Sequence, residues 1–444
     1  MRANRVVNTT GFLRRVLVVA IVVSGMPVPA HPSQAKETVI YNQQGNAANP
    51  ESDLIADRNG VLYGTASSDG GGGYGAVFSL TPPAPGQTDW TEKILYEFQG
   101  GSDGIYPITG LTPDGHGGFF GTTAEGGGGP CVSFVEPGCG TVFHLMPPAD
   151  GQTNWSETVL YSFQGGSDGN LSDARLLLDD ATGALYGVTY FGGPWNAGTV
   201  FAVMPPAQGQ TNWTEAVLYS FTGGADGGFP FAYLITEANG ALYGTTTAGG
   251  PLGCGTVFQL VPPAQGQTNW TETVLYGFGG YTSGDGGSPD AGLVADASGN
   301  FYSTTASGGT HYNAGTVFEL SPPSGDQSTW TETILYNFTG GKDGGFPTAD
   351  IIMDGNGAIY STTSAGGTSN NGTVFKLSPP GTGQTAWTEK VLYSFKGSPD
   401  AYYPTSGLTV GKVGTKTVLF GDTLDGGDDD NGAVYEITDS GFVH

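Results

Sequence analysis

Apolar residues in this chain fall in short runs that alternate with polar positions and are bounded by Gly, Pro, Asn or Asp. In Ile94-Leu95-Tyr96-Glu97-Phe98, the residues Ile94, Tyr96 and Phe98 share one face of an extended segment, as a strand packed on a neighbour requires. The runs are rich in β-branched and aromatic residues, which is strand chemistry. No helical pattern is evident anywhere, so the expected class is all-β.

The runs repeat. A Thr-Glu-Thr-Val-Leu-Tyr motif, with small changes, begins at Thr91, Ser156, Thr214, Thr271, Thr331 and Thr388, each time directly after a Trp. Those Trp residues are 65, 58, 57, 60 and 57 positions apart. Each period also holds an apolar run such as Leu293-Val294-Ala295-Asp296, then Leu-Tyr-Gly-Thr-Thr as at 242–246, then Gly-Thr-Val-Phe as at 255–258. Turns such as Asp57-Arg58-Asn59-Gly60 join the first two pieces, and a Pro pair such as Pro262-Pro263 ends the third, because proline donates nothing to a ladder. Four antiparallel strands per repeat predict a β-propeller blade.

The two ends set the blade count. Glu37 to Tyr41 is a fourth-strand motif with no strands before it, whereas 407–410, 417–423 and 432–437 supply three strands without a fourth. A seven-bladed propeller, closed by the N-terminal strand as a strap, uses both ends and leaves no free sheet edge. An open solenoid would give the mismatch no role. The repeats are expected at about 38–90, 91–155, 156–213, 214–270, 271–330, 331–387 and 388–438, within a propeller over 36–438 followed by a tail at 439–444.

Leu242-Tyr243-Gly244-Thr245-Thr246 followed by Gly255-Thr256-Val257-Phe258 resembles the signature of the GloVer (Gloeo/Verruco) tandem-repeat proteins, a bacterial family. The resemblance runs over residues 37–438. It implies an exported or surface protein, often with a C-terminal sorting segment, and it carries over no catalytic residue. The tail Ser440-Gly441-Phe442-Val443-His444 differs from such a segment.

Composition narrows the function classes. The chain has 78 Gly and 28 Pro among 444 residues, far above ordinary usage, but its aromatic content supplies a core that a disordered chain lacks. Lys and Arg number 14 against 40 Asp and Glu, a formal net charge of −26, and such a surface repels nucleic acid. Arg14-Arg15 precedes the apolar run from Val16 to Met26, too short to span a bilayer. With the small-residue exit Ser33-Gln34-Ala35, residues 1–35 read as an export signal. The mature chain is expected to be a monomer with no membrane span.

Candidate chemistry lies in the loops. Gly-Gly-x-Asp-Gly segments and their variants place Asp103, Asp168, Asp226, Asp285, Asp343 and Asp400 between successive repeats, and Asp69 and Glu125 lie in a second set of loops on the same face. Those carboxylates either present a ligand face or accept backbone N–H bonds within their own turns, and the second role is favoured. Asp428 and Asp430, in Asp428-Asp429-Asp430-Asn431-Gly432, are the best candidates for Ca²⁺, although the loop lacks the distal Glu of an EF-hand. Cys131 and Cys139 bracket an insertion and are expected to form a disulfide, leaving Cys254 free. His116, His144, His311 and His444 stand singly, so no zinc site is visible. The function expected is a non-catalytic exported scaffold binding a polymer or protein. The alternative is a polysaccharide hydrolase or lyase using carboxylates on the loop face, whose spatial pairing sequence spacing does not reveal.

Overall fold

A computed structural model describes residues 35–43, 47–68, 73–132, 137–325 and 328–444. Residues 1–34 of the segment expected to be an export signal, and Asp69, lie outside them. Seven antiparallel sheets form the blades of a β-propeller. Blades 1 to 6 span 55–97, 112–162, 177–220, 235–277, 294–337 and 352–394. Blade 4 shows the plan: Ile235–Thr236, Leu242–Thr246, Thr256–Val261 and Thr271–Gly277 pair in sequence order. Each blade therefore takes its outer strand from the start of the next sequence repeat.

Blade 7 is built from both ends of the chain. Thr409–Val413, Lys416–Thr423 and Ala433–Thr438 pair in order, and Lys36–Asn42 adds antiparallel as the outer strand, with Lys36 opposite Thr438 and Asn42 opposite Ala433. The edge of Ala433–Thr438 is thereby covered by chain from the far end of the sequence. Beyond it, Tyr360 and Lys376 of blade 6 donate hydrogen bonds to the Gly441 carbonyl at 2.9 and 3.1 Å, and Phe442 packs on Tyr360.

The core is laid between blades rather than within them. One hydrophobic cluster fills each seam, from the blade 1–2 cluster around Phe98, Phe119 and Phe143 to the closing blade 7–1 cluster around Leu54, Phe78, Trp90, Phe420 and Val434. In blades 1 to 6 the aromatic following the outer strand meets the third-strand aromatic of the next blade edge-on, as in Phe98–Phe143 at 5.3 Å, Phe278–Phe318 at 5.1 Å and Phe395–Tyr435 at 5.1 Å. Such edge-on pairs add to the area they bury.

The repeated polar residues also bridge strands. In Leu-Tyr-Gly-Thr-Thr the second Thr pairs with the third-strand Thr, as Thr246 does with Thr256 at 2.8 Å. The first Thr donates to a main-chain carbonyl of the following blade: Thr65 to Thr109, Thr122 to Ser172, Thr304 to Pro347. One feature departs from simple alternation. Each third-to-fourth strand pairing contains a bulge, at Leu95 between Ile94 and Tyr96 in blade 1, and at Ile40 between Val39 and Tyr41 in blade 7. An extra residue there increases local twist, which the pattern Ile94, Tyr96, Phe98 does not record.

Candidate functional site

The fourth-to-first loops begin at the rim and end at the axis. At the rim, the outer-strand Tyr donates to the loop Asp: Tyr96 to Asp103, Tyr161 to Asp168, Tyr219 to Asp226, Tyr276 to Asp285, Tyr336 to Asp343 and Tyr393 to Asp400, all at 2.7 to 3.1 Å. The same carboxylates accept backbone N–H bonds from Gln99, Gln164, Thr222, Gly279, Thr339 and Lys396. All six sequence candidates thus hold their own turns and lie around the rim, not together.

The two calcium candidates each have a hydrogen-bond partner of their own. Asp428 accepts from the Asn42 amide at 2.9 Å, and Asp430 accepts from the Tyr402 hydroxyl at 2.9 Å. Among the described residues no three His, Cys, Asp or Glu side chains converge to hold a metal ion. Cys131 and Cys139 are bridged, with Cα atoms 5.1 Å apart, and Cys254 is a free thiol. His144 pairs with Asp114 at 2.9 Å.

Further along each loop the backbone is strongly constrained. Asn49, Tyr106, Leu171, Phe229, Ser288, Phe346 and Tyr403, one per blade, have φ between 51° and 60°, a left-handed conformation uncommon outside Gly. Each is held from two sides. Phe346, for example, donates its N–H to Ala314 of the preceding blade at 2.8 Å and accepts from the Ser364 N–H of its own blade at 3.1 Å. A Pro follows in six of the seven. It packs on the Gly that opens the preceding blade's third strand: a Cβ on Gly255 (φ +99°) would lie 2.6 Å from Pro289 Cδ. The next residues are thereby aimed at the axis.

There the sevenfold repetition breaks. After the Pro position come three residues and then Leu or Ile. The middle one is always small: Ser52, Thr109, Ala174, Ala232, Ala291, Ala349, Ser406. The residue before it reads Glu51, Ile108, Asp173, Phe231, Asp290, Thr348, Thr405, and the one after reads Asp53, Gly110, Arg175, Tyr233, Gly292, Asp350, Gly407. These variable residues line a cavity of about 350 Å³ on the propeller axis.

The glycines make room for their neighbours. A Cβ on Gly292 would lie 2.2 Å from the Tyr233 ring, and one on Gly407 would lie 2.9 Å from Asp53 Oδ1 and 3.1 Å from Asp350 Cβ. Their backbone N–H groups hold the acids, Gly292 to Asp350 and Gly407 to Asp53, both at 2.6 Å. Burial, then the neighbouring Asp53, raises the Asp350 carboxyl well above the usual range. Arg175 lies 4.6 Å over the Tyr233 ring. Burial disfavours its charge, but Asp53 and Asp350 outweigh that and keep it protonated.

Three charged side chains in this cavity lack hydrogen-bond partners. Among the described residues, Arg175, Asp173 and Asp290 make no hydrogen bond and no close ion pair, and Asp173 Oδ1 is wholly enclosed. The Thr405 hydroxyl beside them is also buried without a partner. Burial, then Glu51, pushes Asp173 up to about 7, and burial alone does the same for Asp290. Buried polar groups are ordinarily satisfied; Asp173 Oδ1 and the Thr405 hydroxyl are the exceptions here, while six outer-strand Glu residues at the rim each carry another.

None of the axial residues was a sequence candidate. The signal that finds them is the repeat itself: aligned on the Pro, the small residue and the Leu, the two intervening columns are the ones that vary. Arg175 stands out further, because only Arg58 and Arg175 follow Arg15 in the chain.

A family model, the Gloeobacter/Verrucomicrobia repeat, matches residues 133–333 and 293–443. No match was found among curated proteins. Solved structures with a similar fold include PorZ, a bacterial surface component of the type-IX secretion system of Porphyromonas gingivalis, at 16% identity and TM-score 0.47, covering 90% of this chain and 48% of that one. Trypanosoma rangeli sialidase is similar at 8% identity and TM-score 0.39, covering 92% and 59%. Penicillium chrysogenum α-L-arabinanase is similar at 14% identity and TM-score 0.41, covering 93% and 100%. The chain thus spans about half the length of PorZ and under two thirds of the sialidase.

Proposed function

The chain belongs to the Gloeobacter/Verrucomicrobia repeat family, and from that premise we propose that it is an exported, non-catalytic propeller that binds a ligand at the axial mouth of its loop face. The observation that carries this reading is the break in repetition at the axis. Fold-bearing residues recur from blade to blade, whereas a single ligand site has no reason to. Arg175, Tyr233, Asp53 and Asp350 occupy equivalent positions in four blades, and Gly fills that position in the other three. Aromatics add contact area on the same face: Phe231 lines the cavity and is exposed, and Trp195 is 60% exposed nearby in sequence to Tyr190 and Phe191, which pack with Phe229. The export signal and the Cys131–Cys139 bridge support a location outside the cytoplasm.

A glycan and protein binding screen with the exported chain tests this, with Arg175→Met as the control. The expected result is a ligand whose binding is lost in Arg175→Met while the melting transition remains cooperative. Binding that ignores Arg175 and all its axial neighbours would place the site elsewhere.

A second reading, polysaccharide cleavage, draws on Asp173 and Asp290, whose acid forms persist to about pH 7, as a general acid requires. Turnover of a polysaccharide panel that Asp290→Asn abolishes would favour it over simple binding.

A further inference from the structure

The axial cavity has a sign as well as a shape. Its lining includes Glu51, Asp53, Asp173, Asp290 and Asp350 against one cation, Arg175. The Arg175 charge is directed toward Asp53 and Asp350, and its guanidinium lies over Tyr233. Asp173 and Asp290, on blades 3 and 5, line the space, and Asp173 Oδ1 is enclosed there without a donor. In the absence of another cation these carboxyls retain protons toward neutral pH. What the cavity lacks is therefore a hydrogen-bond donor bearing positive charge. It also offers the Thr405 hydroxyl, buried without a partner, and the Arg175 guanidinium stacked on Tyr233, which call for an oxygen acceptor on the same molecule.

Resting on the axial-site reading above, we propose that the cavity takes a compact organic ligand carrying a primary ammonium group beside an oxygen acceptor, with Asp173 receiving the ammonium and Arg175 the oxygen. An ammonium supplies three donors and one charge, which answers the unpaired Asp173 carboxyl. A cavity of about 350 Å³ has room for a monosaccharide-sized group. An amino sugar and a lysine side chain with its adjoining peptide carbonyl share this chemistry.

Calorimetric titration of the full exported chain separates these cases. The probes are glucosamine, Nα-acetyl-lysine amide, N-acetylglucosamine, glucuronic acid and calcium ion, each taken to millimolar concentration at pH 7.5. At least one amine is expected to bind tenfold or more tightly than N-acetylglucosamine or glucuronic acid. The tighter of the two amines identifies the sugar or the peptide as its source. Asp173→Asn, which keeps side-chain shape, should weaken that binding by tenfold or more while the chain melts cooperatively. Equal or tighter binding of the neutral or anionic sugar, lost in Arg175→Met, would overturn the ammonium assignment and leave the axial site standing. Calcium binding that Asp173→Asn abolishes, with no response to either amine, would also overturn it. Silence from every probe would remove the ammonium assignment, and the broader screen with Arg175→Met would then judge the site alone.

Discussion

Tyr96 donates its hydroxyl hydrogen to Asp103 at 2.8 Å, and Glu157 on the outer strand of the next blade is held against the same carboxylate. Burial, then Asp103, raises Glu157 to about 8. The arrangement recurs: Glu332 rises to about 8, and Glu37, Glu272 and Glu389 to about 7, each through burial first and a loop Asp second. One carboxyl per seam thus keeps its proton at pH values where a free Glu has lost it.

These groups have folded pKa values above the ordinary 4.5. Their contribution to stability is complete below the unfolded value and is lost as pH rises through 7 to 8. The melting temperature should therefore fall steadily between pH 5.5 and 8.5. Glu157→Gln, which donates a hydrogen bond without titrating, should flatten that fall. Scanning calorimetry across this range checks both, and a melting temperature that rises with pH would contradict the shared protons.

The closing strand makes a separate demand on stability. Deleting residues 36–42 removes a ladder along Ala433–Thr438 together with the packing of Val39, Ile40 and Tyr41. The loss should be several kcal/mol, given about 25 cal/mol per Å² of apolar surface exposed. Urea unfolding of the truncated and intact chains measures it, and equal midpoints would show that blade 7 stands without the strand.

Blade 7 also carries a substitution against its own repeat. Where five other blades place a Thr that donates to the next blade's backbone, it has Asp422, fully buried, with Oδ1 accepting from Ser406 and Oδ2 without a partner. Burial raises its carboxyl well above the usual range. Asp422→Thr should stabilise the fold by about 1 to 3 kcal/mol at pH 8, the cost of an unsatisfied buried polar group. The gain should shrink toward pH 5, because the raised carboxyl of folded Asp422 takes up its proton as pH falls. A destabilised Asp422→Thr at pH 8 would mean that the acid has a partner the fold needs.

The Cys131–Cys139 bridge closes a loop of eight residues' separation, for which the chain-entropy model allows about 2 to 3 kcal/mol. Cys131→Ser should cost up to that amount by urea unfolding. Labelling of the native, unreduced chain with a thiol reagent and peptide mapping should find Cys254 alone modified after denaturation.

What the sequence made legible and what it hid have the same cause. The strands, the seven blades and the N-terminal strand in blade 7 follow from recurrence, because each seam presents the same chemistry and therefore the same residues. Gly255 and Pro289 recur in kind because a blade must pass within a Cβ of its neighbour. The loop Asp residues recur for the same reason, so their repetition pointed toward a turn rather than a ligand. The axial residues are the converse. Asp53, Arg175 and Asp350 are separated by more than a hundred positions and meet only because the ring closes. Nothing in a local window announces that meeting, although aligning the repeats exposes the two columns that vary. The bulge at Leu95 left no trace because an extra strand residue alters neither composition nor period.

The shape of the axial mouth can be tested apart from any ligand. Gly292 stands where Arg175, Asp53 and Asp350 stand in other blades, and a Cβ there would lie 2.2 Å from the Tyr233 ring. That ring is edged by Asp350 and Arg175 and donates to the Leu293 carbonyl at 3.4 Å, so it has little room to turn away. Gly292→Ala should therefore destabilise the chain by about 1 to 3 kcal/mol, the usual cost of overpacking. Tyr233→Ala alone removes the ring and the platform under Arg175, and should also destabilise. In the double variant the clash is gone, so adding Gly292→Ala to Tyr233→Ala should cost much less than adding it to the native chain. The coupling read from this cycle by urea unfolding should be at least 1 kcal/mol, as for residues in direct contact. Additive costs would show that the Gly292 position is open and that the alternation of Gly with large side chains around the axis does not arise from packing.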